Sequence, residues 1–275
     1  MSLVLLALVI LSICKTLPTF GVQEPRELRR VAKQGDVEAQ YQLGNLHNNH
    51  SEGDKREAVK WFRKAAEQGH TEAQYEVGML LCWFPPSENQ IEAVKWLREA
   101  AEKEHARAQY QLARCYFEGK GILQDKAKAV EWWRKAAEQG DSSSQWALGE
   151  AYRTGEGIPQ DGEQAVEWLR KAATGVMRSN PAFRIRLGNY LLTGDGIPED
   201  KGEAVELFRR ATAAPIRFGY SCAQNIREAQ YLLGKCYFRG EGVTKDEAEA
   251  VKWLRRAAER NHQMAIELLK EIDEN

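Results

Sequence analysis

The 275-residue sequence predicts an all-α solenoid of stacked helix hairpins, and three recurring patterns predict it. One pattern is close to A-V-x-W-x-x-x-A-A. It begins at Ala58, Ala93, Ala129, Ala165, Ala204 and Ala250, at intervals of 35, 36, 36, 39 and 46 residues. A second is close to A-Q-Y-x-L-G, and the third is a Gly-rich link, G-x-G-[IV]-x-x-D, between the two. Six such units cover residues 37–262. A single hairpin cannot bury its apolar face, so stacked neighbours must build a continuous core.

The chain opens with an apolar run from Leu3 to Ile13 that includes Ser12 and is broken by Pro18. Thr19 and Gly21 supply small residues at −3 and −1, so residues 1–21 read as a signal peptide cleaved after Gly21. The run is short for a membrane span. No Lys or Arg precedes it, which keeps an uncleaved anchor open, and Ser12-Ile13-Cys14 loosely resembles a lipidation box. Membrane association is expected only if this segment stays uncleaved or is lipidated. The expected location is exported: periplasmic or secreted, with a bacterial host favoured, or the endoplasmic-reticulum lumen in a eukaryote.

Residues 22–36 hold PRELRRVAKQGD from Pro25, which reads as the second helix of a partial unit and an N-terminal cap. The first helix of each full unit includes the segment from Ala39, Ala73, Ala108, Ser144, Phe183 or Ala229. Leu43, Val77, Leu112, Leu148, Leu187 and Leu233 form its buried column. The next residue is Gly in five units and Ala113 in the sixth. A mid-helix Gly costs about 1 kcal/mol against Ala, so a repeated one implies close contact with the partner helix.

The link follows as GKGILQD, GEGIPQD, GDGIPED and GEGVTKD, from Gly119, Gly155, Gly194 and Gly240. Its first Gly suits a left-handed helix C-cap. Ile122, Ile158, Ile197 and Val243 plug the gap between helices, and Asp125, Asp161, Asp200 and Asp246 N-cap the next helix. Gln164, Glu203 and Glu249 would complete capping boxes. No strand precedes G-x-G and no third Gly follows, so a dinucleotide site is rejected. In the second helix Trp61, Trp96, Trp132, Trp168 and Trp253 share one column and read as core, beside small residues such as Ala58 and Ala65. QMAIELLKEI from Gln263 closes the stack, so residues 263–275 are the C-terminal cap.

Lys plus Arg number 39 against 40 acids, a formal charge of −1; loss of Lys15 with the signal segment would make it −2. That balance argues against nucleic acid as a partner. H-E-x-x-H, C-x-x-C and G-x-S-x-G do not occur. His70, His105 and His262 occupy the inter-unit turn where other units have Asp36 and Asp141, and His47 and His50 have no third ligand. No metal, cofactor or catalytic residue is assigned. Cys115 and Cys236 share one column and read as small packed residues. In an oxidising compartment Cys222 and Cys236 are instead the candidate disulfide, tying down an insertion.

The L-G, G-x-G-[IV]-x-x-D and A-[VL]-x-W-x-x-x-A-A elements, in that order over Val37 to His262, resemble the Sel-1-like repeat family, a relative of the tetratricopeptide repeats. Units one and two depart from the pattern, with HNNHSEGD and CWFPPSEN as links. The resemblance implies a right-handed α-solenoid that serves as a non-catalytic adaptor or scaffold, binding a protein or peptide in its concave groove. Such proteins are common among secreted and envelope-associated bacterial proteins, and eukaryotic relatives act in endoplasmic-reticulum quality control. Cysteine-rich relatives raise an alternative, a hydrolase of the β-lactam or cell-wall class. The S-x-x-K pair which that chemistry needs occurs here at Ser12 and Lys15, inside the signal segment. A peptidoglycan- or glycan-binding module is a third reading.

By analogy with tetratricopeptide repeats, Tyr41, Tyr75, Tyr110, Trp146, Ile185 and Tyr231 face the groove as a ladder for an extended peptide, or else form a packing column. Two columns that vary between units are the other groove candidates. One holds Asn45, Met79, Arg114, Glu150, Asn189 and Lys235; the other holds Asn48, Cys82, Phe117, Arg153, Leu192 and Phe238. Insertions at Thr174–Pro181 and Ala213–Ile226 are further candidates, the second through Ile216, Phe218 and Tyr220.

Overall fold

The computed structural model describes residues 25–48, 52–83, 88–174, 181–213 and 220–274. The apolar N-terminal run, Ser12, Lys15, His50, Ile216 and Phe218 lie outside these residues, as do the side chains of Tyr220 and Cys222. The described residues form fourteen α-helices and no strand. The helices are α1 (Pro25–Lys33), α2 (Val37–Asn48), α3 (Glu52–Glu67), α4 (Thr71–Trp83), α5 (Glu88–Glu102), α6 (Ala106–Glu118) and α7 (Lys126–Glu138). They continue as α8 (Ser142–Thr154), α9 (Gly162–Thr174), α10 (Pro181–Thr193), α11 (Lys201–Thr212), α12 (Tyr220–Arg239), α13 (Glu247–Ala258) and α14 (Gln263–Asp273). The chain forms two compact units, one ending at Ala73 and one beginning at Gln74.

In the first unit Leu28 and Ala32 of α1 pack with Ala39 and Leu43 of α2 and Trp61 of α3. In the second, a core running from α6 to α14 holds Leu148, Leu169, Leu187, Phe208, Leu233 and Leu254, all buried. The deepest column of the second helices is not the tryptophans. It is the residue after them: Phe62, Leu97, Leu169, Phe208 and Leu254 have no exposed surface, and Trp133 has little. Trp61 and Trp96 are buried, whereas Trp132, Trp168 and Trp253 are only partly so. Each partly buried indole is covered by a cation one turn on: Lys135 lies 4.3 Å from the Trp132 ring, Lys171 4.1 Å from Trp168 and Arg256 4.6 Å from Trp253.

The helical glycines are where the two helices of a hairpin touch. A Cβ on Gly44 would fall 2.5 Å from the Phe62 ring, and on Gly78, 2.6 Å from Leu97. At Gly149, Gly188 and Gly234 the same atom would fall 2.7, 2.6 and 2.8 Å from Leu169, Phe208 and Leu254. Close approach therefore outweighs the helix-propensity cost of glycine.

Both glycines of the link are left-handed, but they do different work. Gly119 (φ 72°) ends α6 with its N–H on the Cys115 carbonyl. Gly121 (φ 68°) instead abuts the Gln90 carbonyl at the start of α5, and Gly157 and Gly242 meet Lys126 and Lys201 in the same way. In these three links the second glycine is thus the point where the link rests on the preceding unit's second helix, whereas Gly196 meets Arg153 of the first helix α8. Asp125, Asp200 and Asp246 accept the N–H three residues on at 3.0, 2.8 and 2.9 Å, as expected of N-caps. The reciprocal half of the capping box is not formed. The Asp161, Asp200 and Asp246 N–H groups donate to the carbonyls of Tyr152, Leu191 and Tyr237, and Glu203 pairs with Arg170.

Hydrogen bonds from the Lys128 N–H and then the Lys128 ammonium hold the Asp125 carboxyl below the usual carboxylate range. A depressed folded value means that its contribution is complete above the unfolded carboxylate range and is lost as pH falls through the lowered one. Asp125→Asn, a neutral cap, is therefore expected to flatten the acid limb of a stability–pH profile measured by urea melts.

Units one and two, which lack the Gly-rich link, start their second helices earlier. α3 has 16 residues and α5 has 15, against 12 or 13 in the later units. Asp54 and Asn89 stand in the capping register but lie inside these helices. Without the Gly-x-Gly pair, the second helix begins ahead of the capping register.

A further repeated device is polar. Gln40, Gln109 and Gln145 donate to the Ala32, Ala101 and Ala137 carbonyls at 3.1, 3.1 and 3.2 Å, satisfying the last turn of the preceding helix. Gln68 and Gln139 donate back to Gln40 and Gln109 at 2.8 and 2.7 Å. Gln109→Leu removes two side-chain hydrogen bonds, but the Ala101 carbonyl keeps the Glu104 N–H and the Gln139 amide is exposed to water. It is expected to cost about 1 kcal/mol by chemical denaturation.

Candidate partner-binding site

The aromatic ladder is an inter-unit packing column. His70 and His105 sit at the N-caps of α4 and α6, their Nδ1 atoms accepting from Ala73 and Ala108 at 3.1 Å, and His262 caps α14 through Ala265 at 3.3 Å. The ring of each imidazole covers the tyrosine of the preceding first helix. Tyr41 and His70 stack at 4.5 Å, Tyr75 and His105 approach at 4.8 Å, and Tyr231 and His262 stack at 4.5 Å. Trp146 stacks on Phe183 at 4.6 Å. Tyr75, Trp146 and Tyr231 are buried in this way. Ile185 is also buried, and Tyr110 is partly so, with its phenol pushed up by burial. A groove ladder needs free ring faces, and these rings are spent on the next unit.

The variable columns divide. Glu150 and Arg153 pair at 2.9 Å, Arg153 reaches Asp195 of the next link at 3.1 Å, and its guanidinium lies 4.3 Å from the Tyr190 ring. A Cβ on Gly196 would strike the Arg153 side chain, so Glu150 and Arg153 join units. Phe117 leans on Trp133 at 5.2 Å under Lys126, and Phe238 lies under Lys245 at 5.6 Å. Asn45, Asn189 and Lys235 are partly exposed.

Met79 and Arg114 do come together. They line a cavity of about 190 Å³ with Cys82, Trp83, Gln90, Gln111, Cys115, Glu118 and Lys120. Arg114 is exposed and pairs with Glu118 at 3.1 Å. Trp83 is 77% exposed at the end of α4. It was missed in the sequence because it stands outside the tryptophan column, in the link that departs from the pattern. Its signal was that departure: an aromatic where the later units place Gly-x-Gly.

The insertion before unit six is partly structural. α12 begins at Tyr220 and runs unbroken to Arg239, and Ile226 within it is buried. This helix also removes the expected bridge. Cys236 is a buried free thiol, and position 222 lies on the same helix, roughly 21 Å away along the axis. A disulfide needs Cα atoms within about 7 Å. Among the described residues, no group of three or more His, Cys, Asp or Glu side chains could hold a metal ion, and no helix is long and apolar enough to cross a membrane.

Comparison with known proteins gives the same repeat. The family described as Sel1 repeat matches residues 37–70, 71–105, 106–141, 142–175, 182–214 and 227–270. A crystal structure of a protective antigen of uropathogenic Escherichia coli strains, displaying an SLR fold, is 32% identical with a TM-score of 0.72 over 89% of this chain. The chain spans 50% of the length of that antigen. A Sel1 repeat protein from Oxalobacter formigenes is 29% identical with a TM-score of 0.70, covering 92% of this chain and 72% of that one. No curated protein matches the chain.

Proposed function

Because the chain belongs to the Sel1 repeat family, whose members are generally protein-interaction scaffolds, we propose that it is a non-catalytic adaptor that seats a protein or peptide at the Met79–Trp83–Arg114 cleft. The observation that carries this reading is Trp83, an indole 77% exposed at the mouth of a cavity. A bare tryptophan beside an arginine is the composition of an interface anchor, where Trp and Arg dominate the binding energy. Met79 supplies an adaptable apolar floor, and Arg114 and Lys120 supply donors for a partner's carboxylate or carbonyl groups. The cleft does not depend on the Tyr column, so its residues can change without unstacking the units.

Trp83→Ala or Arg114→Ala is expected to weaken a purified partner by roughly 2 kcal/mol, about 30-fold in Kd. Helicity and melting should stay near wild type. Glu131→Ala, an exposed second-helix change, serves as the control. Loss of binding only together with loss of folding, or equal binding by all variants, counts against the cleft. We further propose that the protein is exported, on the support of the Leu3–Ile13 run and the Thr19-Phe20-Gly21 site. N-terminal sequencing and fractionation of native protein test this: Val22 as first residue, or an intact chain in the envelope fraction, supports it, and an intact chain in the cytosolic fraction opposes it.

A further inference from the structure

The same cavity holds two thiols that the scaffold reading does not use. Cys82, near the end of α4, is exposed, and Cys115, on α6, is buried; both are free. Both line the cavity. The two helices belong to successive units. Cys82 and Cys115 therefore bring two thiols from separate hairpins to one solvent-open cavity, with Arg114 and Lys120 among the lining residues.

We propose that Cys82 and Cys115 form a reversible dithiol–disulfide site that reacts with anionic low-molecular-weight disulfides and, when oxidised, staples unit two to unit three. The exposed Cys82 thiolate attacks one sulfur of the oxidant. A Cys82–S–S–R bond forms, the S–S bond of R–S–S–R breaks, and one thiolate leaves and takes a proton from solvent. Cys115 then attacks the Cys82 sulfur, the second R–S⁻ leaves, and the Cys115 proton accompanies it to solvent. Two thiols are oxidised and one external disulfide is reduced to two thiols.

The division of labour follows from the surroundings. The hydrogen bond with Cys115 holds the Cys82 thiol below its usual range against the opposing effect of burial, and the charges of Arg114 and Lys120 add to that lowering. The same hydrogen bond, and then burial, push the Cys115 thiol up. Cys82 is the accessible nucleophile, and the buried Cys115 is the resolving partner. Glu118 opposes a thiolate, but its carboxylate is paired with both Arg114 and Lys120. Those two cations would also draw a carboxylate-bearing disulfide to the site. Cys236 is buried, lies outside this cavity and has its thiol pushed up to about 11 by burial, so it makes an internal unreactive reference.

The test uses the full chain, reduced and then incubated with oxidised glutathione. Under denaturing conditions the remaining thiols are alkylated and peptides are mapped by mass. The expected product is a monomer carrying one Cys82–Cys115 linked peptide, two hydrogens lighter, with Cys236 alkylated and the link reversed by dithiothreitol. Cys115→Ala should accumulate the mixed disulfide of glutathione at Cys82. Cys82→Ala should leave Cys115 reduced, and circular dichroism confirms that both variants fold. Cys115 still alkylated in the wild type after Cys82 has reacted would overturn the proposal, as would a Cys82–Cys82 dimer in place of the internal link. So would a Cys115 that reacts equally well without Cys82. None of these outcomes depends on a protein partner, so failure here leaves the adaptor reading standing.

Discussion

Gly242→Ala is expected to destabilise the protein by roughly 2–5 kcal/mol, the sum of a left-handed backbone penalty and an overpacking penalty. Gly242 has φ 72°, and a Cβ there would overlap the Lys201 carbonyl oxygen and carbon, which are backbone atoms of α11 that cannot rotate aside. Gly240 is the matched control. Its φ is 69°, yet the nearest atom to an added Cβ is 3.4 Å away, so Gly240→Ala should cost only the backbone share, roughly 1–2 kcal/mol. In a repeat array, stability is held largely between neighbours, so the damage should be local. Limited proteolysis of Gly242→Ala should cut near the α12–α13 link before it cuts within α6 to α9. Equal losses for the two alanines would mean that the link's second glycine is not an inter-unit contact.

Phe208→Ala is the other large effect, expected at about 3–5 kcal/mol in urea melts. Phe208 is fully buried, and Gly188 of α10 lies against its ring. Gly188→Ala alone puts a methyl carbon 2.6 Å from that ring and should cost about 1–3 kcal/mol, even though alanine is the better helix former. The two changes should couple. In the Phe208→Ala background the added methyl enters the vacated space, so the double variant should be less destabilised than the sum of the singles. Additive losses would break the link between the glycine column and the aromatic or leucine facing it.

Much of this architecture was legible because it repeats. The glycine column and the link's N-capping aspartates sit where the pattern placed them, since each is dictated by local backbone chemistry. What could not be read depends on the neighbouring unit. The Tyr41 and Tyr231 rings are covered by His70 and His262, residues about thirty positions away, and one unit's periodicity does not show that cover. The tryptophan column drew attention by its identity, while the deeper column, which switches among Phe, Leu and Trp, did not. The glutamines of A-Q-Y bond across units, and their recurrence at 40, 74, 109, 145 and 230 was the available signal. The Cys222–Cys236 pairing failed because the inserted residues extend a helix where a loop was expected. Of the candidate groove, Met79 and Arg114 fell in a shared cavity, and Trp83 hid in the irregular link.

The most direct test of the adaptor reading is site-specific photo-crosslinking in native extract. A photoreactive residue would stand at position 83, and in a second protein at position 131 on the exposed second-helix face. The account predicts one discrete adduct from position 83, abolished by Arg114→Ala and absent from position 131. An adduct that forms equally at both positions, or only at 131, would contradict it.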